Sequence, residues 1–344
     1  MTLKQQKTKC MKFSFRLWSL ITVAGAIASA LTILSFFGHL FWIADLFSHF
    51  RVQYFIGLTA AALLLLIPRK RKTALCFALL AAVNLSTILP FYIGQAERAS
   101  GSKPTFRAML LNVNTKLGNA DRVLAVINKF DPDIVVLEEV NTRWINDLRL
   151  VTNRYGHSKI LPRGDNFGIA FYSKLPLLRA NIVYIGTAGV PSIVAEIDAA
   201  GEKATVIGTH PLPPVGSRYS HWRNDQLEKI SDFVGSVTSP VLLLGDLNVT
   251  PWSHHFRQLL KRSGLRDASQ GRGIQPTWPT QNCLLQIPID HCLHSPEIVI
   301  VQKEIGPHVG SDHYPVIVDF IVESSEKTDI KLSVKAKARI GPFL

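Results

Sequence analysis

Residues 241–248 read VLLLGDLN: four aliphatic residues, a glycine, then an acid and an amide two positions apart. The apolar run has the length and composition of a buried strand. Residues two apart on an extended chain share a face, so Asp246 and Asn248 leave the strand end side by side. An acid so placed can orient or deprotonate a water, and the amide can hold a phosphate or the acid itself. The same letters also suit an Asx turn that simply closes a strand. The rest of the chain decides between the two.

Working outward, LNVN (111–114), LEEV (137–140), GTHP (208–211), IDH (289–291) and SDH (311–313) each lie at or near the end of an apolar, β-like run. Together they offer carboxylates, amides and imidazoles at strand ends. Hydrolysis of a phosphate ester at neutral pH needs exactly such equipment: oxygen ligands for a hard divalent ion, a group to activate water, and an imidazole to serve the leaving oxygen. Each motif alone has a plainer reading. A lone asparagine after a strand is usually a turn residue, and a lone histidine is usually surface or core. Their joint presence in this order is what a chance reading does not supply.

The order and character of the set resemble the endonuclease/exonuclease/phosphatase superfamily, the deoxyribonuclease-like enzymes, over roughly residues 105–320. The resemblance implies a four-layer α/β/β/α sandwich, two packed β-sheets each covered by helices; the alternating pattern alone reads only as α/β or α+β. It also implies roles. Glu139 is the central metal ligand, where the family's usual Gln-Glu pair is replaced by Glu138-Glu139. Asn112 lies beside metal and phosphate, and Asp312 is a possible second ligand. Asp246 and Asn248 activate water and hold phosphate. His210 and His313 act on phosphate oxygens, with Asp290 orienting His313. The Pro-rich and aromatic loop after His210, Pro211 to Tyr219 with His221, Trp222 and Arg223, is expected to help shape specificity, with Arg223 binding substrate; a surface connection that starts the next helix is its plainer reading. Alternation puts Glu138 on the face opposite Glu139, as a structural or solvent-facing acid; His291 likewise faces away from Asp290, and Asn114 occupies a variable place. The implied cofactor is Mg²⁺ or Mn²⁺. The implied reaction is phosphodiester hydrolysis by an activated water, in nuclease form, with a phospholipid, sphingomyelin or phosphoinositide headgroup as the alternative substrate. A non-catalytic binder of phosphorylated ligands is the rival from another class.

The first hundred residues lie outside that resemblance. Residues 17–37 carry no charge and are long enough to cross a bilayer, residues 73–93 form a second such run, and 54–67 is apolar but short. A cleaved signal peptide fits the first run poorly, because the run is too long and more apolar sequence follows. Lys4, Lys7, Lys9, Lys12 and Arg16 favour a cytoplasmic N-terminus, and the block Arg69, Lys70, Arg71, Lys72 stays on that side only if the short run also crosses. Three spans in residues 1–94 then place the domain (105–322) outside the cytoplasm on a cell membrane, beyond a polar linker (95–104). Residues 38–50 become an aromatic outer loop, and 323–344 a loose basic tail.

Charge follows the same division. The formal net charge is +13, but residues 1–93 hold ten Lys/Arg against Asp45 alone, whereas 94–320 hold 23 basic and 21 acidic residues. The basicity belongs to the membrane module, and bulk charge gives no support to a dedicated duplex-binding face. Cys283 and Cys292 are close enough in sequence to pair in an oxidising compartment. A zinc site from Cys283, His291, Cys292 and His294 is the sharper alternative, without the usual paired CxxC spacing, and two unrelated thiols are the plainest.

Overall fold

The computed structural model describes residues 3–94 and 103–323, with side chains from Arg16 onward. Most of the expected linker and all but Glu323 of the expected tail lie outside the described residues. The chain divides into two compact units, one N-terminal and helical, the other built from Phe91 onward.

The helical unit contains α1 (Leu3–Leu34), α2 (Trp42–Phe47), α3 (Arg51–Leu66) and α4 (Arg71–Ile88). Three stretches are long and apolar enough to cross a membrane: Arg16–Phe37, Trp42–Leu66 and Arg71–Phe91. The short apolar run at 54–67 reaches spanning length because α2 and a 3-10 turn (Ser48–Phe50) extend it N-terminally to 25 residues. Residues 38–50 are therefore largely helical, not the loop expected from sequence, and Ala44 and Asp45 are buried there. Small residues set the packing. A Cβ on Gly25 would lie 2.2 Å from the Phe77 ring, so α1 and α4 meet closely only because that position is glycine.

In the second unit the first sheet holds β1 (Phe106–Asn112), β2 (Ile134–Glu138), β3 (His157–Leu161), β4 (Ile169–Ser173), β11 (Ile298–Ile305) and β12 (Val316–Val322), in the order β11-β12-β1-β2-β4-β3. The second holds β5 (Leu177–Tyr184), β6 (Pro191–Ala199), β7 (Glu202–Thr209), β8 (Val241–Asp246), β9 (Arg266–Asp267) and β10 (Asp290–His294), in the order β5-β6-β7-β8-β10-β9. Each sheet contains one parallel pair, β1 with β2 and β7 with β8. The helices α5 (Ala120–Phe130) and α8 (Ser217–Gly235) are their crossovers, with α6 (Thr142–Asp147), α7 (Arg149–Thr152) and α9 (His254–Ser263) completing the helices.

Alternation sorts each strand between two cores. Ala108, Leu110, Val136, Phe171, Val206 and Leu244 pack between the sheets. Met109, Leu111, Val135 and Leu137 turn the other way onto Val123, Ile127 and Trp144. Leu243 and Ile207 pack on Leu227, Ile230 and Phe256. The result is the expected four-layer sandwich. The strands the sequence did not reveal, β3, β5 and the two-residue β9, lie at sheet edges. Edge strands are half-exposed and mixed in polarity, so they lack the apolar run that marks β2 or β8. Strand β10 begins at Asp290, and Ile287, three residues earlier, bridges to Trp278 instead.

Cys283 is exposed, Cys292 is fully buried in the inter-sheet core, and both are free thiols. Cys292 alternates with His291, which packs its ring 4.5 Å from that of Phe256 on the outer face. The four residues of the alternative zinc set thus do not converge.

Leu244 is fully buried between the sheets. Leu244→Ala is expected to destabilise the second unit by about 2–5 kcal/mol, read from the urea midpoint of tryptophan fluorescence. His291 is held neutral: burial pushes its pKa down, against smaller opposing effects of Asp267 and of the 2.7 Å contact of Nε2 with the Val249 carbonyl. The unfolded chain protonates it near pH ~6.5. Its stabilisation is therefore complete above that pH and drains away as pH falls below it. The unfolding free energy of His291→Gln should decline less steeply than that of the parent between about pH 6.5 and 5; equal slopes would show that His291 carries no such linkage.

Candidate active site

The parallel pairs bring the carboxyl ends of β1, β2, β7 and β8 to one rim of the sandwich, where β10 begins and β12 is about to begin. The junction is direct: the Asp246 amide at the end of β8 donates to Glu138 Oε2 at the end of β2 (3.0 Å). Glu138 is thus fully buried between the sheets and not solvent-facing. Burial raises its pKa well above the ordinary range, the Asp246 charge adds to this, and His210 opposes it. Strand alternation does place Glu138 and Glu139 apart, but the strand stops between them. Glu139 has φ 58°, a left-handed turn that swings its carboxylate out onto the rim.

Asn114 and Asn248, both with φ 51°, end their strands the same way. Such conformations cost roughly 1–3 kcal/mol each in non-glycine residues and persist where surroundings over-determine them. Thr115 supplies the restraint at Glu139, its hydroxyl donating to the Glu139 carbonyl (2.8 Å) and its amide to Oε2 (3.3 Å). At Asn248 the amide donates to Asp246 Oδ1 (2.9 Å), so the Asx turn and the acid–amide pair are the same structure. The glycine of GDLN is dictated by packing, since a Cβ on Gly245 would lie 2.0 Å from the Thr209 carbonyl oxygen.

Asn112 sits at the centre. Its amide nitrogen donates to Glu139 Oε1 (3.0 Å) and Asp246 Oδ2 (3.3 Å), and its Oδ1 accepts from the Asn114 amide (3.0 Å). Asp312 is oriented by Asn114 Nδ2 on one oxygen (2.8 Å) and Trp278 Nε1 on the other (3.0 Å). Asp246 lies between two imidazoles, with Oδ2 3.5 Å from His210 Nε2 and 3.6 Å from His313 Nε2. His313 Nδ1 is 2.9 Å from Asp290 Oδ2, the orienting contact expected of that acid.

The electrostatics are consistent with these contacts. Burial would lower the His210 pKa, but the bond to Asp246 and the charges of Asp246, Glu138 and Glu139 outweigh it and lift the pKa to about 9. Burial is likewise overcome at His313, where Asp290, Asp246 and Asp312 raise the pKa to about 10. Burial opposes ionisation of Asp246, yet His313, His210 and the Asn248 amide hold its pKa below the usual carboxylate value. Asp246, Asp290 and His313 have ligand atoms within 4.8 Å of one another, a spacing a metal ion could bridge. His313 already uses Nδ1 on Asp290 and turns Nε2 toward Asp246, so we read this group as an acid–imidazole relay.

Arg223 is buried, its Nη1 donating to the Asn248 carbonyl (3.0 Å) and its Nε to Asn224 Oδ1 (2.9 Å). It therefore reaches the site through the backbone of Asn248, whose side chain also donates to the Pro211 carbonyl (3.0 Å). Sequence reasoning missed Thr115, Trp278 and the structural work of Ser311. The Ser311 hydroxyl donates to the Asn112 carbonyl (2.7 Å) and accepts from the His313 amide (3.1 Å), joining two motifs. Ser311 was within reach, since it opens the SDH motif. Trp278 carries no local signal, because its role exists only through Asp312.

No functionally curated protein matched the sequence. Among solved structures, an endonuclease/exonuclease/phosphatase protein from Bacteroides vulgatus aligns over 64% of this chain and 100% of its own, with 21% identity and a TM-score of 0.53. The D. rerio TDP2 complex with single-strand DNA product aligns over 63% and 98%, with 17% identity and a TM-score of 0.53. The human Nocturnin catalytic domain with bound sulfate aligns over 64% and 96%, also with 17% identity and a TM-score of 0.53. At these identities the likeness is one of fold. The sequence model of the Endonuclease/Exonuclease/phosphatase family matches residues 109–313, more than half of the chain and every motif quoted above. The chain belongs to the endonuclease/exonuclease/phosphatase family.

Proposed function

We propose that this chain is a divalent-metal-dependent phosphodiesterase anchored in a cell membrane by its N-terminal helices, hydrolysing its substrate by in-line attack of an activated water. The observation that carries the reading is Asp246, a buried acid of lowered pKa set between two imidazoles at the junction of the sheets.

The donor set fits a hard cation. Glu139, Asp246, Asp290 and Asp312 supply four carboxylates, and His210 and His313 as imidazoliums balance only two. Glu139, with Asn112 and Asp312, would hold Mg²⁺ or Mn²⁺, which when bound neutralises the phosphate oxygens. The other steps fall to the chain itself. Asp246 takes a proton from the attacking water, and Asn248 holds a non-bridging oxygen. His210 donates a hydrogen bond to the phosphate. His313, kept in orientation by Asp290, gives its proton to the leaving oxygen as the P–O bond breaks. A nucleic-acid diester gives the nuclease form of this reaction, and a lipid headgroup gives the other.

The membrane side of the reading draws on the three apolar helices and on the basic residues 69–72, which close the turn after the second and open the third. With the N-terminus cytoplasmic, the catalytic unit lies outside the cytoplasm.

Asp246→Asn and His313→Ala should each lower turnover of a chromogenic phosphodiester by about 10²–10⁴-fold in protein whose circular dichroism spectrum remains that of the folded parent. Turnover at parental rates in either variant sinks the assignment of roles, and binding of phosphorylated ligands with no turnover in the parent favours the binder instead. Chelation with EDTA should abolish turnover, and added Mg²⁺ or Mn²⁺ should restore it. Activity indifferent to the chelator rules out the metal dependence.

A further inference from the structure

Asn224 and His255 belong to none of the motifs quoted above, yet their bonds lead to the turn that ends GDLN. The inward face of α8 carries Ser220, Arg223, Gln226, Leu227 and Ile230 at helical spacing. Arg223 thus puts a cation among core-facing residues, and a buried guanidinium is tolerated only where its N–H groups are bonded. Toward the site, Nη1 donates to the Asn248 carbonyl (3.0 Å). On the other side, Nε (2.9 Å) and Nη2 (2.7 Å) both donate to one acceptor, Asn224 Oδ1. Adjacent positions on a helix diverge by about 100°, so this pair meets only because the arginine bends sideways onto its neighbour. The two bonds fix the plane of the guanidinium, and with it the direction in which Nη1 points.

The Asn224 amide is itself held one way round. A guanidinium only donates, so the amide oxygen must face Arg223 and the nitrogen must face away. Nδ2 lies 3.0 Å from Nε2 of His255, in the first turn of α9, and because Nδ2 only donates, the imidazole accepts there. Reversing the amide would bring donors together on the Arg223 side. The bonds therefore run with one polarity, from Asn224 to His255, from Arg223 to Asn224 and from Arg223 to the Asn248 carbonyl. They end on a residue whose φ of 51° is strained for any side chain but glycine and has to be held from several directions. The Asn248 amide is held by Asp246 Oδ1 (2.9 Å) and its side chain by the Pro211 carbonyl (3.0 Å); Arg223 restrains its carbonyl. We infer that Asn224 and His255 are positioning residues for the candidate active site: His255 locks the Asn224 amide, Asn224 sets the plane of Arg223, and Arg223 holds the turn that presents Asp246 and Asn248. That the turn serves hydrolysis rests on the phosphodiesterase reading above; that these residues hold it does not.

The test uses the full chain with Mg²⁺ and a chromogenic phosphodiester, and reads hydrogen exchange across residues 246–250 beside turnover. His255→Leu removes the acceptor, whereas His255→Gln keeps one where Nε2 stood. His255→Leu and Asn224→Leu should each lower kcat about five- to tenfold with KM within about twofold, the scale of one or two lost hydrogen bonds. Exchange across 246–250 should quicken severalfold in both, while that of β12 stays parental. His255→Gln should match the parent in turnover and exchange. Parental kcat or parental exchange in a leucine variant overturns the role of that residue, and a glutamine variant as impaired as His255→Leu overturns the bonding that explains it. If Asn224→Leu does not fold, the two His255 variants decide alone. A parent that hydrolyses no diester defeats the phosphodiesterase reading, and the exchange comparison then still decides whether these residues hold the turn.

Discussion

The bond between the Asp246 amide and Glu138 Oε2 is where the two sheets of the catalytic unit become one site. Each sheet alone ends in a row of strand termini. Joined at this point, β2 and β8 place Glu139 and Asp246 on either side of the Asn112 amide, which bonds to both. The acceptor is buried and ordinary solvent cannot replace it, so the bond fixes the separation of the sheets at the rim. The register of β8 and β10 then pairs Asp290 with Asp246, and Asp290 in turn sets His313. The geometry of the catalytic residues thus descends from strand pairing rather than from flexible loops.

That arrangement concentrates acids in a dry place. Buried carboxylates this close raise one another's pKa, and the structure answers in two ways. Glu138 is pushed toward its neutral form, while His210 and His313 are pushed toward their charged forms, to about 9 and 10. Asp246 is the beneficiary, kept ionised in surroundings that would otherwise protonate it. Removing either imidazole would take away part of what holds Asp246 ionised and so raise its pKa.

Much of this was legible in the sequence because strand ends are. VLLLGDLN shows both the run that becomes β8 and the polar pair that leaves it. Resemblance to a known family ordered the motifs into a site, and residues from six separated segments do meet. Legibility failed where a role depends on tertiary contact or on broken regularity. Alternation placed Glu138 away from Glu139 correctly, but only the sheet-on-sheet packing shows that this other side is the interior. Arg223 looked like a ligand for phosphate because it is basic and follows His210; on α8 it faces inward and holds the turn at Asn248. Trp278 had no signal at all, and β3 and β5 were hidden by the mixed polarity that edge strands carry.

Net charge would have misled more than any motif. The chain is strongly basic, yet its positive charge lies in the helical unit and the rim of the catalytic unit carries a surplus of carboxylates. A phosphodiester is an anion, and an anion is repelled from such a rim in the absence of a compensating cation. On the reading proposed above, the residues that would repel such an anion are the ones that would hold a divalent ion, and affinity for one would be coupled to occupancy by the other. Bulk electrostatic attraction, on which a duplex-binding protein relies, contributes little here. Recognition has to come from the local field of the rim and from the loops beside it, whose exposed side chains include Lys116, Arg218 and His221 as well as Leu117 and Val215.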